Sequence, residues 1–298
     1  MSYLIRQMGH VTLGVPDPLA SAADLRDLTG LQVTRPGDDE VRLSSNARSY
    51  EMVLQRAPVA CVRAIGLEAV SAAAVEEVGR RVASDGLELL ADAPMHGGGG
   101  RAVRFRGPGG AIFEVHTPVA RRPLDQLTPA GVRPRRIEHV NILVEDVRAA
   151  RDFLTTTLAL KLSDTAGEDM LSWYRAEDGF HHTVALGPGP NKLHHYAFDL
   201  HALADLAGIA DRLAQRQRAL LWGPGRHAAG GNVFTYYVDP DGCLVENSIE
   251  MTRIDVDSLH QPTHWPIGEG MSGRWINLWG GGPPVGFGDP GLAFARDV

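Results

Sequence analysis

Short runs in which apolar and polar residues alternate, each followed by a stretch with apolar positions three and four apart, recur along the chain. Gly9-His10-Val11-Thr12-Leu13-Gly14-Val15 reads as a half-buried strand, because side chains alternate across a pleated strand, and Ala20 to Leu28 follows with helical spacing. Glu138-His139-Val140-Asn141-Ile142-Leu143-Val144 and the stretch from Val147 to Leu158 repeat that pattern at an offset of 129. Val62 to Glu68 leads likewise into Ala72 to Ala83, whose Val75, Val78 and Val82 share one helical face. Leu193 to Leu200 leads into Ala202 to Leu220.

A second pair of segments fixes the repeat. Phe105-Arg-Gly-Pro-Gly-Gly-Ala-Ile-Phe-Glu114 and Tyr237-Val-Asp-Pro-Asp-Gly-Cys-Leu-Val-Glu246 stand 132 residues apart. In each, a strand meets a Pro-x-Gly turn and a second strand returns carrying a glutamate; Pro presets the turn and Gly tolerates its positive φ. Two homologous halves follow, and each divides again. The pattern predicts four units of one strand, one helix and three strands, near 5–57, 58–118, 135–187 and 192–250. The expected organisation is an N-terminal domain over 1–120, a proline-marked linker over 121–134, a second domain over 135–252 and an irregular arm over 253–298.

Composition narrows the partners. The net charge of 29 − 36 = −7, without basic blocks, argues against nucleic acid and anionic membranes. An apolar fraction of 44% and a charged fraction of 22% are ordinary for a globular chain with a sizeable core. Cys61 and Cys243 are too few for a disulfide framework or a four-thiolate zinc site and are expected as buried free thiols. The start of the chain lacks the basic and apolar regions of a signal peptide, and no apolar run approaches ~18 residues. A cytoplasmic protein is expected. Gly97 to Gly100 lacks the Lys-Ser/Thr of a phosphate loop, and no Gly-x-Ser-x-Gly elbow occurs.

The candidate chemistry lies in the second half, at His139, His181, His182, His194, His195, His227, Tyr236 and Glu246. A single strand histidine is more often a hydrogen-bonded core residue than a ligand; the positions of these argue otherwise. His139 opens the first strand of the third unit, His195 opens the equivalent strand of the fourth, and Glu246 lies on its closing strand. Two imidazoles and a carboxylate on one face of a metal form the facial triad of non-haem Fe(II) enzymes, and zinc accepts the same donors.

Gly225-Arg-His227, Tyr236-Tyr-Val-Asp-Pro-Asp-Gly242 and Glu246 together resemble the signature of the type I extradiol ring-cleavage dioxygenases (catechol 2,3-dioxygenase and 2,3-dihydroxybiphenyl 1,2-dioxygenase-like) of the vicinal oxygen chelate superfamily. The likeness spans roughly 5 to 250; Thr235 departs from the aliphatic or aromatic residue that the signature prefers. The resemblance implies an α+β fold of four βαβββ units in two tandem vicinal-oxygen-chelate (glyoxalase/bleomycin-resistance-like) domains. It implies His139, His195 and Glu246 as metal ligands, with His194 the rival to His195; strand alternation would turn His194 to the opposite face. It implies His182 as the histidine beside the O2 site, with His181 its rival. It implies His227 and Tyr236 near a bound diol, and Asn141 facing O2. The implied cofactor is Fe(II), with Mn(II) possible, and the implied partners are a catechol and O2 in an enzyme expected to be a homo-oligomer. The implied function is extradiol (meta) cleavage of an aromatic diol. The alternatives are a metal-dependent isomerase or lyase of the same superfamily and a non-catalytic aromatic-ligand-binding protein.

The first half serves as an internal control. Offsets place His10 opposite His139, His96 opposite His227 and Glu114 opposite Glu246, but Arg63 opposite His195 and Arg104 opposite Tyr236. A guanidinium has no lone pair for a metal, so this half is expected to be metal-free. Trp222 is expected at the pocket mouth, and Arg226 is expected either as a partner for a substrate carboxylate or in an ion pair at the surface or behind the site. Trp265, Trp275 and Trp279 of the arm are candidates for a lid or a subunit interface, and His260 and His264 for surface or lid packing.

Overall fold

The computed structural model describes residues 2–35, 37–123, 132–168, 170–268 and 274–296. Most of the expected linker, 124–131, and parts of the expected arm lie outside these described residues.

All four units form as expected. The first runs β1 (Ile5–Val15), α1 (Pro18–Thr29), β2 (Gln32–Arg35), β3 (Glu40–Ser44) and β4 (Met52–Arg56). The second runs β5 (Cys61–Ala69), α2 (Ala72–Ser84), β6 (Glu88–Ala91), β7 (Ala102–Arg106) and β8 (Ile112–His116). The third runs β9 (Arg136–Val144), α3 (Val147–Asp152), β10 (Lys161–Ala166), β11 (Leu171–Arg175) and β12 (Val184–Pro188). The fourth runs β13 (Lys192–Asp199), α4 (Leu203–Gln215), β14 (Trp222–Arg226), β15 (Val233–Val238) and β16 (Leu244–Ile249).

Local chemistry sets the helix ends. The Asp17 side chain accepts from the Leu19 and Ala20 amides, Pro18 occupies the first turn, and Gly30 ends α1 at a φ of 77°. Ser71 caps α2, and Val75, Val78 and Val82 are buried as their spacing requires. The fourth helix stops at Gln215 rather than reaching Leu220, because Gln217 turns the chain at a φ of 56°. Beyond α3 the helix widens into a π turn over Phe153–Thr157.

Each half is one sheet. The first has the order β2-β3-β4-β1-β5-β8-β7-β6, with β1 antiparallel to β5 at its centre. The second repeats this as β14-β15-β16-β13-β9-β12-β11-β10, with β9 antiparallel to β13. A continuous apolar core joins the halves, and Phe153 meets Phe105 and Phe113 across them.

The arm is more regular than expected. It adds β17 (Thr263–Trp265) parallel to β10 and β18 (Leu292–Ala293) antiparallel to β13. It then reaches the first half, where the Ala295 amide donates to the Val62 carbonyl. Cys243 is buried, whereas Cys61 is only partly so. No helix among the described residues is long and apolar enough to cross a membrane.

Two bulges mark the central pair β9–β13. Leu193 faces Ile142 and His195 faces Asn141, leaving His194 as an extra residue. Val140 faces Tyr196 and Ile137 faces Phe198, so Glu138 and His139 together oppose Ala197. Such bulges re-aim side chains that strict alternation would separate.

The Asp239-Pro-Asp-Gly turn before β16 folds around a buried carboxyl. Asp239 accepts from the Asp241 and Cys243 amides at 3.0 and 2.8 Å and from the Tyr196 hydroxyl at 3.0 Å. Burial, with Asp241 adding to it, pushes its carboxyl up to about 7. In the unfolded chain an aspartate releases its proton near ~3.9, so between these values the folded protein binds more protons and rising pH destabilises it. Asp239→Asn should therefore gain stability relative to the wild type as pH rises from 5 to 7. Urea midpoints at pH 5 and 7 that differ equally in both proteins would contradict this.

Candidate metal centre

Three adjacent strands, β16, β13 and β9, bring Glu246, His195 and His139 to one point. His139 Nε2 lies 3.0 Å from Glu246 Oε2, His195 Nε2 lies 3.3 Å from the same oxygen, and the two Nε2 atoms lie 3.3 Å apart. Donors held ~2.0–2.1 Å from a divalent ion sit ~3.0 Å apart at right angles and ~3.4 Å apart in a tetrahedron. The residues therefore fit such an ion, and all three are buried. Among the described residues this is the one His/Cys/Asp/Glu group with metal-holding geometry.

The surroundings orient each donor. Glu138 Oε2 lies 3.1 Å from His139 Nδ1, the contact that the bulge at Glu138 and His139 permits. Glu246 accepts from Asn232 Nδ2 at 2.9 Å through Oε1 and from the Tyr236 hydroxyl at 2.7 Å through Oε2. Burial alone would raise the Glu246 carboxyl, but His139 and His195 hold it well below the usual range. Burial likewise opposes charge on His139; Glu246 and Glu138 override it and raise the imidazole to about 9.

The acid–base candidates flank these ligands. His182, preceding β12, packs at a tilt against His139 with 4.2 Å between ring centroids, and its Nδ1 lies 3.1 Å from Nδ1 of His181. His181 turns away from the cavity towards Asp164, 3.2 Å distant. Burial, with His139 and His181 adding to it, lowers the His182 pKa well below its ordinary value. On the other flank, His227 Nε2 lies 3.2 Å from the Tyr236 hydroxyl, and His227 Nδ1 donates to the Ile276 carbonyl of the arm. Burial lowers the His227 pKa to about 4. Asn141 faces His195 in register, and its Oδ1 is buried without a partner.

These groups line one cavity of about 470 Å³. Its walls include Leu143, Leu171, Trp173, Trp222, Trp275 and Phe287, and among the described residues the lining holds no Lys, Arg or Asp, with Glu246 the one carboxylate.

Several expectations change. His194 does not point to the opposite face; the bulge places its ring beside that of His195, with the two Nδ1 atoms 2.8 Å apart. Arg63 is not the counterpart of His195. Thr12 pairs with Ala64 as Asn141 pairs with His195, so Ala64 takes that place and Arg63 occupies the bulge. Arg226 faces away from the cavity, held by Glu250 at 2.6 Å and the Trp279 ring. Trp222 and Trp275 line the cavity, whereas Trp265 donates to Asp164. In the first half, Arg104 stands 3.7 Å from Glu114 where Tyr236 serves Glu246, and Tyr50 takes the place of His182. Sequence reading missed Asn232, Glu138, Asp164, Ile276 and Phe287, because their role depends on bulges and on the arm.

A family model, the Glyoxalase/Bleomycin resistance protein/Dioxygenase superfamily, matches residues 136–247. Metapyrocatechase 2 of Cupriavidus necator is 29% identical, covering 96% of this chain and 92% of its own. A manganese-dependent 2,3-dihydroxybiphenyl 1,2-dioxygenase of Geobacillus genomosp. 3 is 28% identical over 80% of this chain and 83% of its own. Among solved structures, the Mn(II)-bound glyoxalase of Novosphingobium aromaticivorans superposes with a TM-score of 0.86 at 28% identity, over 98% of this chain and 95% of the other. Homoprotocatechuate 2,3-dioxygenase of Brevibacterium fuscum superposes with a TM-score of 0.90 over 99% and 85%, at 20% identity, and so shares the fold. The architecture is accordingly α+β with four βαβββ units in two tandem vicinal-oxygen-chelate domains.

The geometry predicts one divalent ion per chain. Mn(II) titration should give a stoichiometry of one for wild type and for His10→Ala, and none at micromolar concentration for His195→Ala. Two ions per chain, or loss with His10→Ala, would contradict the assignment.

Proposed function

We propose, from the match of residues 136–247 to the Glyoxalase/Bleomycin resistance protein/Dioxygenase superfamily, that the protein is an Fe(II)- or Mn(II)-dependent extradiol dioxygenase. It opens a catecholic ring beside its hydroxyls with O2. The catalytic work belongs to residues 135–252, and the first 120 residues bind no metal. One observation carries this reading: a two-histidine, one-glutamate triad opens onto an apolar cavity, with acid–base groups on both flanks of it.

His139, His195 and Glu246 would hold a divalent ion, which would supply Lewis acidity towards the diol and O2. The strand order β15-β16-β13-β9-β12 sets Tyr236 on one flank of the ligands and His182 on the other. Tyr236 Oη and His227 Nε2 hold the diol oxygens, and neutral His227 takes up a hydroxyl proton. His182, whose Nδ1 is engaged by His181, keeps Nε2 for the cavity, where it would take up the second hydroxyl proton of the diol and return it to oxygen. Asn141 on β9 lines the same cavity, with its Oδ1 buried and without a partner. The apolar walls exclude water and align the ring.

The lining also favours a substrate class. A carboxylate on the ring would be buried without a cationic partner, at a cost of several kcal/mol. The preferred substrate is therefore a neutral catechol with an apolar or aryl substituent. The likeness to the Mn(II)-bound glyoxalase favours a second reading, a metal-dependent isomerase or lyase; consumption of O2 separates the two.

Anaerobically metal-loaded protein given 2,3-dihydroxybiphenyl should take up one O2 per substrate and form a yellow ring-opened product. A carboxylate-bearing catechol should react with a kcat/KM lower by about 100-fold or more. Absence of uptake with bound metal would reject oxygenase chemistry. His182→Ala should retain metal and substrate binding while kcat falls by about 10²-fold or more, as expected for loss of an acid–base group. An unchanged kcat would remove His182 from the reaction.

A further inference from the structure

The ring of His195 is held from behind by a chain of contacts that ends in the C-terminal arm. This argument rests on the reading of His195 as a metal ligand. Its Nε2 faces His139 and Glu246, so when that lone pair is given to a cation the ring proton must sit on Nδ1. Nδ1 lies 2.8 Å from Nδ1 of His194. One of two facing ring nitrogens must donate and the other accept, so His194 presents a lone pair there. Neutral His194 then carries its proton on Nε2, 2.9 Å from the Phe287 carbonyl, which can only accept. The opposite tautomer would set two N–H groups against each other and a lone pair against the carbonyl. Each link therefore fixes the next.

Both ends of this chain are anchored. His194 and His195 are each 5% exposed, and the bulge between Leu193 and His195 is what turns the two rings towards one another. The arm lies directly on that bulge: a Cβ added at Gly291 would stand 2.4 Å from the Leu193 carbonyl, and β18 pairs with Lys192 and Leu193. Phe287 also packs edge-on against His194, Trp222 and Tyr236, so the residue whose carbonyl ends the chain forms part of the cavity wall.

We infer that His194 is a positioning residue that couples the arm to the metal centre: the Phe287 carbonyl, acting through His194, fixes His195 in the tautomer that offers Nε2 to the cation. Linkage makes the effect mutual, so a bound cation also holds residues 286–293 against the cavity. Partners of this kind are worth ~10–100-fold in metal affinity.

Substitutions at His194 divide the chain at each of its two joints. An asparagine amide reaches the place of Nδ1 and can accept from His195, but falls short of Phe287. A glutamine amide reaches the place of Nε2 and can donate to Phe287, but leaves His195 Nδ1 without an acceptor. The dissociation constant for Mn(II) alone, read from the electron paramagnetic resonance signal of the free ion, should stay within about threefold of wild type in His194→Asn. It should weaken ~10–100-fold in His194→Gln and His194→Leu. Hydrogen exchange at residues 286–293 should slow when Mn(II) binds to the wild type and should not respond in His194→Asn. Equal affinities in all four proteins, an asparagine variant as weak as the glutamine one, or exchange in the wild type indifferent to Mn(II) would overturn the inference. A wild type that binds no Mn(II) would instead overturn the metal-centre reading on which it rests.

Discussion

The Glu246 carboxylate, 1% exposed in the middle of a sheet, is the constraint around which the second half is organised. An ionised carboxylate taken out of water without partners would be costly enough to expel its charge or unfold the site. Here Tyr236 and Asn232 donate to it, and His139 and His195 stand within 3.3 Å. Two nearby imidazoles cannot all be charged without repelling one another, so the charge balance is best completed by a dication. Glu114 of the first half shows the contrasting solution. It is as deeply buried, but a guanidinium, Arg104, faces it alongside His10 and the second imidazole is replaced by Ala64. A fixed cation there does the neutralising that an exchangeable one would do in the second half.

Convergence of the three donors depends on two slips in strand register. In a regular ladder, neighbouring residues point to opposite faces. The bulge at Glu138 and His139 lets adjacent side chains touch, and the bulge at His194 sets a second imidazole behind His195. The first half keeps both slips, at Gly9 and at Arg63, without the chemistry they support. The backbone device is thus part of the repeat, and the side chains placed on it decide whether a metal centre results.

The arm completes the site rather than merely covering it. Its Ile276 carbonyl holds His227, its Trp265 and Thr263 hold the Asp164 that faces His181, and its Phe287 carbonyl holds His194. His227, His181 and His194 are therefore oriented, directly or through Asp164, by arm residues spread from Thr263 to Phe287. The same segment supplies the apolar wall that makes the cavity suited to an uncharged ring.

The residues alone were enough to reveal the four strand–helix–strand units, the homologous halves and the donor types, because strand alternation, helical spacing and turn chemistry are local properties. They also placed His139, His195 and Glu246 on strands that a repeat would bring together. The sequence did not disclose the register. Strict alternation put His194 on the wrong face, and fixed offsets put Arg63 opposite His195, since a bulge inserts a residue without leaving a local mark. Nor did it tell whether Arg226 or Phe287 would face the cavity, or that an aperiodic arm would hold three histidines in place. Those outcomes depend on contacts between segments up to a hundred or more residues apart, which only the packed sheet and the arm laid across it decide.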